Sequence, residues 1–184
     1  MIAGDLVTAR GISSYTTACP CGWHGDREHG CRCSASQRQR YWQRLSGPLL
    51  DRLDLQLRLE RRNAHAVRTC MTEPIHATNR GHWIEPARIE QARQRMHLRN
   101  PGKGCNRVLS AHALRSVGRF QPSALKLWEQ LIDQRGLTTR SGLQLLRVAR
   151  TIADLNNNED VNVEEVAEAS CFRCSDLIRQ SIAQ

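Results

Sequence analysis

From Leu53 to Glu60 apolar and polar residues alternate without a miss, and no comparable period precedes them. A period of two marks a half-buried strand, so a strand is predicted here. Beyond residue 85 the period becomes helical. Pro86 at a first-turn position predicts a helix to about Arg99, stopped by Asn100-Pro101-Gly102. Ser110, preceded by Leu109 and followed four residues on by Leu114, reads as an N-cap with a hydrophobic staple. Ala124, Leu125, Trp128, Leu131 and Ile132 fall on one face of a helix closed by Gly136. Thr138 caps the next helix, whose Leu143, Leu146, Ala149, Ile152 and Ala153 form the longest stripe, and Asn162 with Glu165 opens a last one. Each stripe must be buried against another, which predicts a small bundle.

The earlier part is less regular. Residues 1–35 are rich in Gly, Cys, Ser and Thr and read as loop, with at most a short strand between Asp5 and Ile12. Ser36 and Gln39 resemble a capping box, opening a helix to about Leu45 that Gly47-Pro48 must end. Residues 61–83 show neither period and read as a linker. The expected division is therefore residues 1–60, a linker over 61–84, and a helical region over 85–184. The fold class is mostly α, with one or two strands in the first part.

Composition narrows the partners. The chain has 184 residues and a net charge of +9, and 25 of its 27 basic residues are Arg. The planar guanidinium suits phosphate and carboxylate, which points to an acidic or phosphate-bearing partner. No apolar run approaches the length of a membrane span. The first residues lack the charged-then-apolar order of a secretory signal, so the expected location is cytoplasmic. There the eight cysteines are reduced, leaving metal ligation or burial as their uses.

Four of them form a pattern. Cys19-Pro20-Cys21-Gly22 and Cys31-Arg32-Cys33 flank a Gly/His-rich loop. Four thiolates brought together by two tight turns can satisfy tetrahedral zinc, and the loop has too little apolar content to order itself otherwise. Four reduced thiols in a surface loop are the alternative. Cys171 and Cys174 have no second pair nearby and read as partly buried thiols.

Two longer blocks carry a resemblance. Cys19-Pro20-Cys21-Gly22, Cys31-x-Cys33, Arg40-Tyr41, the run Leu45-Ser46-Gly47-Pro48-Leu49-Leu50-Asp51-Arg52-Leu53-Asp54-Leu55, and Leu146-Arg147-Val148-Ala149-Arg150-Thr151-Ile152-Ala153-Asp154-Leu155 resemble the C-terminal portion of the Mg-chelatase-like AAA+ ATPases, in the branch of the competence protein ComM. The resemblance implies the end of an AAA+ α/β core followed by an all-helical lid, working in a hexameric ring with ATP and magnesium. It implies DNA processing, branch migration or transformation, as in the ComM branch, or metal insertion as in the chelatases. By the same resemblance Arg52 matches the arginine finger, and Arg140 matches the sensor-2 arginine of the lid. Both would act on the γ-phosphoryl group of a bound nucleotide. Arg147 and Arg150 share a helix with Arg140 and read as structural or DNA-facing.

The sequence also departs from the family. Thr17 stands where the family places a sensor-1 Asn. No G-x-x-x-x-G-K-[ST] phosphate loop occurs, and no apolar strand ends in paired acids for magnesium. The expected role is that of a part that supplies finger and lid to a nucleotide held by another polypeptide. The competing readings are a stand-alone basic nucleic-acid-binding module, using the cysteine loop and the Arg-rich helices at 36–45 and 86–99, and a truncated remnant without function.

Overall fold

The computed structural model describes residues 5–8, 11–14, 17, 19–26, 28–44, 51–57, 64–72, 85–102 and 104–173. The chain forms two compact units: Met1–Leu50 with Leu59–Arg61 and Leu177–Gln184, and Asp51–Arg58 with Arg62–Asp176. It is mostly helical, as the periodicity predicts. Among the described residues there are seven α-helices and two short strands.

The first unit begins with an antiparallel hairpin, β1 (Asp5–Thr8) and β2 (Gly11–Ser14), that pairs Asp5 with Ser14 and Thr8 with Gly11. The one strand expected near Asp5 to Ile12 is thus two. After the cysteine loop comes α1 (Ala35–Gln43), whose N-cap is Ser34 rather than the predicted Ser36. The Ser34 hydroxyl accepts from the Gln37 N–H at 3.2 Å, and the Gln37 side chain accepts from the Ser34 N–H at 2.9 Å. Both serines fit the S-x-x-Q pattern. The upstream register starts the helix directly after Cys33, where the cysteine loop ends.

The second unit contains α2 (Ala64–Thr72), inside the stretch expected to be a linker. The bundle follows: α3 (Pro86–Arg99), a 3-10 turn (Asn106–Val108), α4 (Ala111–Val117), α5 (Pro122–Arg135), α6 (Thr139–Leu155) and α7 (Val163–Cys171). Its caps are those read from sequence. The Ser110 hydroxyl accepts from the Ala113 N–H, the Thr138 hydroxyl from the Ser141 N–H, and Asn162 and Glu165 form a capping box. Gly136 ends α5 at φ 57°, a left-handed conformation that suits glycine.

The core is built on α6. Leu145, Ala149, Ile152 and Ala153 pack with Ala124 and Leu131 of α5 and with Val166 and Ala169 of α7. A second cluster joins Leu146 to Leu109 and Leu114, the staple pair. Gly142 brings α5 and α6 close, since a Cβ there would lie 3.0 Å from Ile132. The Trp128 indole then donates to the Gly142 carbonyl at 2.9 Å.

One buried carboxylate organises the charged residues. Asp154 is 1% exposed, accepts two bonds from Arg99 at 2.6 and 2.8 Å, and also accepts from Arg150 at 3.1 Å and Asn106 at 2.8 Å. Arg150 is fully buried and also donates to the carbonyls of Gly118, Asn158 and Glu159. Burial pulls its pKa below the usual arginine value, and Asp154 opposes that shift. Arg147 donates to the Leu109 carbonyl. Of the two roles read for Arg147 and Arg150, the structure assigns the structural one.

The strand predicted over Leu53–Glu60 is not present among the described residues; 53–57 form an irregular segment, and 58–60 lie outside them. Its burial pattern is inverted. Gln56 is 7% exposed, whereas Leu55 and Leu57 are 54% and 67% exposed. Hydrogen bonds to the helices hold the segment instead of a ladder. The Gln56 N–H donates to the Phe172 carbonyl at 2.8 Å, and buried Arg173 donates to the Leu53 carbonyl at 3.0 Å.

Removing the central carboxylate tests this account. Asp154→Ala leaves the buried Arg150 and the half-buried Arg99 without their counter-charge and is expected to cost about 3–5 kcal/mol, read as a lower urea midpoint of the bundle. A loss of about 1 kcal/mol or less would refute it.

Candidate functional site

The sequence-predicted residues fall into two groups, one in each compact unit. In the second unit Arg52 lies in a turn and is exposed, and Arg140 lies in the first turn of α6 and is exposed. Their neighbours bring the two backbones together. Asp51 accepts from the Ser141 hydroxyl at 2.8 Å and from the Thr138 hydroxyl at 3.0 Å. The residue before Arg52 therefore bonds to the residue after Arg140 and to the N-cap of its helix. On the other side of Arg52, Asp54 accepts from Gln144 at 2.9 Å and pairs with Arg107 at 3.3 Å. Gln144 in turn accepts from Arg173. Arg52 thus projects from a short arch pinned at both ends to the start of α6.

Asp51 and Asp54 flank Arg52 in the sequence, but nothing in their spacing tells that they bind the start of a helix 90 residues later. Thr138 carried a partial signal, because an N-cap hydroxyl can donate outward while it accepts from the helix.

The first unit holds the cysteines. Cys19 is buried, and Cys21, Cys31 and Cys33 are half-buried. Their four sulfurs lie within 4.8 Å of one another, with Cys19 at 3.3 Å from Cys21 and 3.7 Å from Cys31. Four Zn–S bonds of about 2.3 Å in a tetrahedron require sulfurs about 3.8 Å apart, so the donor set and its spacing fit such an ion. The loop is tied locally. Gly22 N–H donates to the Cys19 carbonyl at 3.0 Å, His24 N–H points at the Cys19 sulfur at 3.3 Å, and Arg38 donates to the Cys33 carbonyl. His24 and His29 are not among the four clustered ligands. Cys171, read as partly buried, is exposed, and Cys174 lies outside the described residues.

The thiols differ in acidity. The backbone N–H groups of Trp23 and Arg32, with the Cys19 side chain, lower Cys21 to about 6. For Cys33 the Cys21 backbone N–H acts downward, but burial and the side chains of Cys21 and Cys19 outweigh it and carry the group up to about 11. Cys31 is raised in the same way, burial and the Cys19 and Cys21 sulfurs outweighing the Cys33 backbone N–H. Cys21 is therefore mostly thiolate near neutral pH, while Cys31 and Cys33 keep their protons until a cation displaces them.

Thr17 donates to the Cys19 carbonyl at 2.8 Å and contacts the Tyr41 hydroxyl at 3.1 Å. Several arginines counted toward a basic surface are instead bonded internally. On α3, Arg88 and Arg95 donate to the carbonyls of Leu155 and Asp154, and Arg99 binds the Asp154 carboxylate.

A family model described as magnesium chelatase, subunit ChlI, matches residues 12–67, and one described as subunit ChlI C-terminal matches residues 85–173. The chain belongs to the Mg-chelatase-like family. Within that family it is 34% identical over 155 residues to an uncharacterized protein of Mycobacterium tuberculosis, covering 84% of this chain and 29% of the relative. It is 30% identical over 148 residues to the uncharacterized protein YifB of Escherichia coli, covering 80% and 28%. Competence protein ComM of Haemophilus influenzae is 26% identical over 153 residues, covering 83% and 28%. The chain thus spans less than a third of the length of these curated relatives, and corresponds to the C-terminal portion of the family. No described helix is long and apolar enough to cross a membrane.

Two outcomes follow. Asp51→Ala frees one end of the arch, so amide exchange across residues 51–57 is expected to accelerate about tenfold, while that of α6 beyond its first turn stays unchanged; equal exchange in both proteins would show that Asp51 does not pin the segment. Zinc titrated into the reduced chain should bind one per chain and release protons, with apparent affinity rising from pH 6 to pH 8 as the raised thiols become easier to ionise. Cys21→Ser with Cys31→Ser should abolish the binding, and stoichiometric uptake by that double variant would remove the site.

Proposed function

We propose that this chain supplies an arginine finger, Arg52, and a sensor-2 arginine, Arg140, to an ATP–magnesium held by another polypeptide of a Mg-chelatase-like AAA+ assembly. The observation that carries the reading is the arch: both guanidiniums are exposed, and Asp51 ties the backbone beside one to the backbone beside the other. Two permanent charges presented from one rigid base suit a phosphoryl group whose own chain provides the phosphate loop that this sequence lacks.

In this reading the guanidiniums stabilise the charge that builds on the transferring γ-phosphoryl group, and neither takes nor gives a proton. A hexameric ring would set each arch against the nucleotide of its neighbour. The cysteine cluster would hold a structural zinc, since a closed set of four thiolates leaves no open position for catalysis. Its reduced thiols suit the cytoplasm. With the resemblance to the ComM branch, the assembly would serve DNA processing.

A second reading, a basic nucleic-acid-binding module, is favoured by one observation: the guanidiniums of Arg32, Arg40 and Arg44, beside the cysteine loop, have no carboxylate partner among the described residues.

Mixing the chain with a phosphate-loop polypeptide of the family tests the first reading. ATP hydrolysis is expected to appear, to fall about a thousandfold or more in kcat with Arg52→Ala, and to fall about a hundredfold with Arg140→Ala. Activity indifferent to Arg52→Ala would overturn it.

A further inference from the structure

The face made by the cysteine loop and α1 carries two adjoining clefts. The larger, of about 630 Å³, is lined by Arg32, Arg40 and Arg44 together with Tyr41, and no carboxylate lines it. The smaller, of about 500 Å³, is lined by Trp23, His29 and Glu28. Cys21 and Arg32 border both, so the two form one continuous track.

We propose that this track binds a single strand of nucleic acid, with backbone phosphates in the arginine cleft and a base against the Trp23–His29 pair. The inference develops the nucleic-acid reading above and is independent of the roles of Arg52 and Arg140.

Three arguments lead there. The first is electrostatic. Arg38, on the same helix, is bonded to the Cys33 carbonyl, and most arginines of α3 are bonded within the bundle, yet Arg32, Arg40 and Arg44 are exposed and unpaired among the described residues. Three guanidiniums gather around a cleft that no carboxylate lines, with only the Cys21 and Cys33 sulfurs of the cluster as negative groups beside them, and a polyanion bound there meets the remaining positive charge while releasing counterions. The second is shape. The Trp23 and His29 rings stack at 4.2 Å between centroids and 19° between planes, and His29 is exposed, so the pair offers a flat aromatic platform. Asp26 anchors that residue, its carboxylate accepting from the His29 backbone N–H at 2.9 Å and lying 3.4 Å from the ring Nδ1. Glu28 beside the platform disfavours a phosphate there and is compatible with a neutral base. The third is continuity. Cations on one side and an aromatic platform on the other match the alternation of phosphate and base along a strand.

Fluorescence anisotropy of a labelled oligothymidylate with the full chain, in the absence of nucleotide and of any second polypeptide, tests the assignment. The strand should bind more tightly than a duplex of the same length, and the logarithm of the association constant should fall with log salt at a slope of about −2, three contacts at −0.7 each. Arg32→Gln, Arg40→Gln and Arg44→Gln combined should weaken binding about tenfold or more. The corresponding Lys triple should retain most of the affinity, because a point charge still meets a phosphate. His29→Ala should cost about fivefold on the strand and leave duplex affinity unchanged. Wild-type affinity in the Gln triple, with its helix content and zinc uptake intact, would overturn the proposal. So would displacement of the strand by stoichiometric ATP, which would make the arginine cleft a mononucleotide site. Because nucleotide hydrolysis plays no part in this assay, its failure and that of the finger reading are separable.

Discussion

The bundle depends on how one carboxylate without access to water is neutralised. Asp154 would be intolerable alone in the interior, and Arg150, fully buried, would be equally so. Together with Arg99 and Asn106 they make a network in which Asp154 meets two cations and an amide, and Arg150 also reaches three backbone carbonyls. Those carbonyls belong to the turns before α5 and after α6. The network therefore fixes the ends of α3, α4 and α6 relative to one another, which packing of small side chains such as Ala149 and Ala153 would not do by itself.

With α6 held in this way, its N-terminus becomes a firm base for the arch at residues 51–57. A segment with two exposed leucines gains little from burial, and its order comes from directional bonds: Asp51 to the cap of α6, Asp54 and Leu53 to Gln144 and Arg173, and Gln56 to the end of α7. Such bonds set position more than they add stability, which is what a presented side chain requires.

The helices of the bundle were legible because their signals are local. Ser110, Thr138, Asn162 and Gly136 each act within one turn of themselves, and each caps the helix it was read to cap. Over Leu53–Leu57 the alternation misled because a strand needs a neighbour as well as a pattern, and these residues meet helix ends instead. The helix at Ala64–Thr72 was missed although Ala64, Val67 and Met71 fall at i, i+3 and i+7, a stripe too sparse to stand out between histidines and arginines. The cysteine cluster was readable as four residues in two pairs, and the Arg-rich helix at 36–45 as a basic face to go with the loop; that Arg32 joins Arg40 and Arg44 around one cleft was not, since they meet only once the loop has folded back.

Helix α1 has nine residues and buries none of them. A free peptide of that length would be mostly coil in water. The first turn of α1 is held where Ser34 closes the capping box one residue after Cys33 and by the Arg38 bond back to the Cys33 carbonyl, and its last turn by the Tyr41 hydroxyl against Thr17. A sulfur cluster and a helix nucleus thus meet at a single peptide, so any ion that the four thiolates gathered would also serve as the template on which the spiral bearing Arg40 winds.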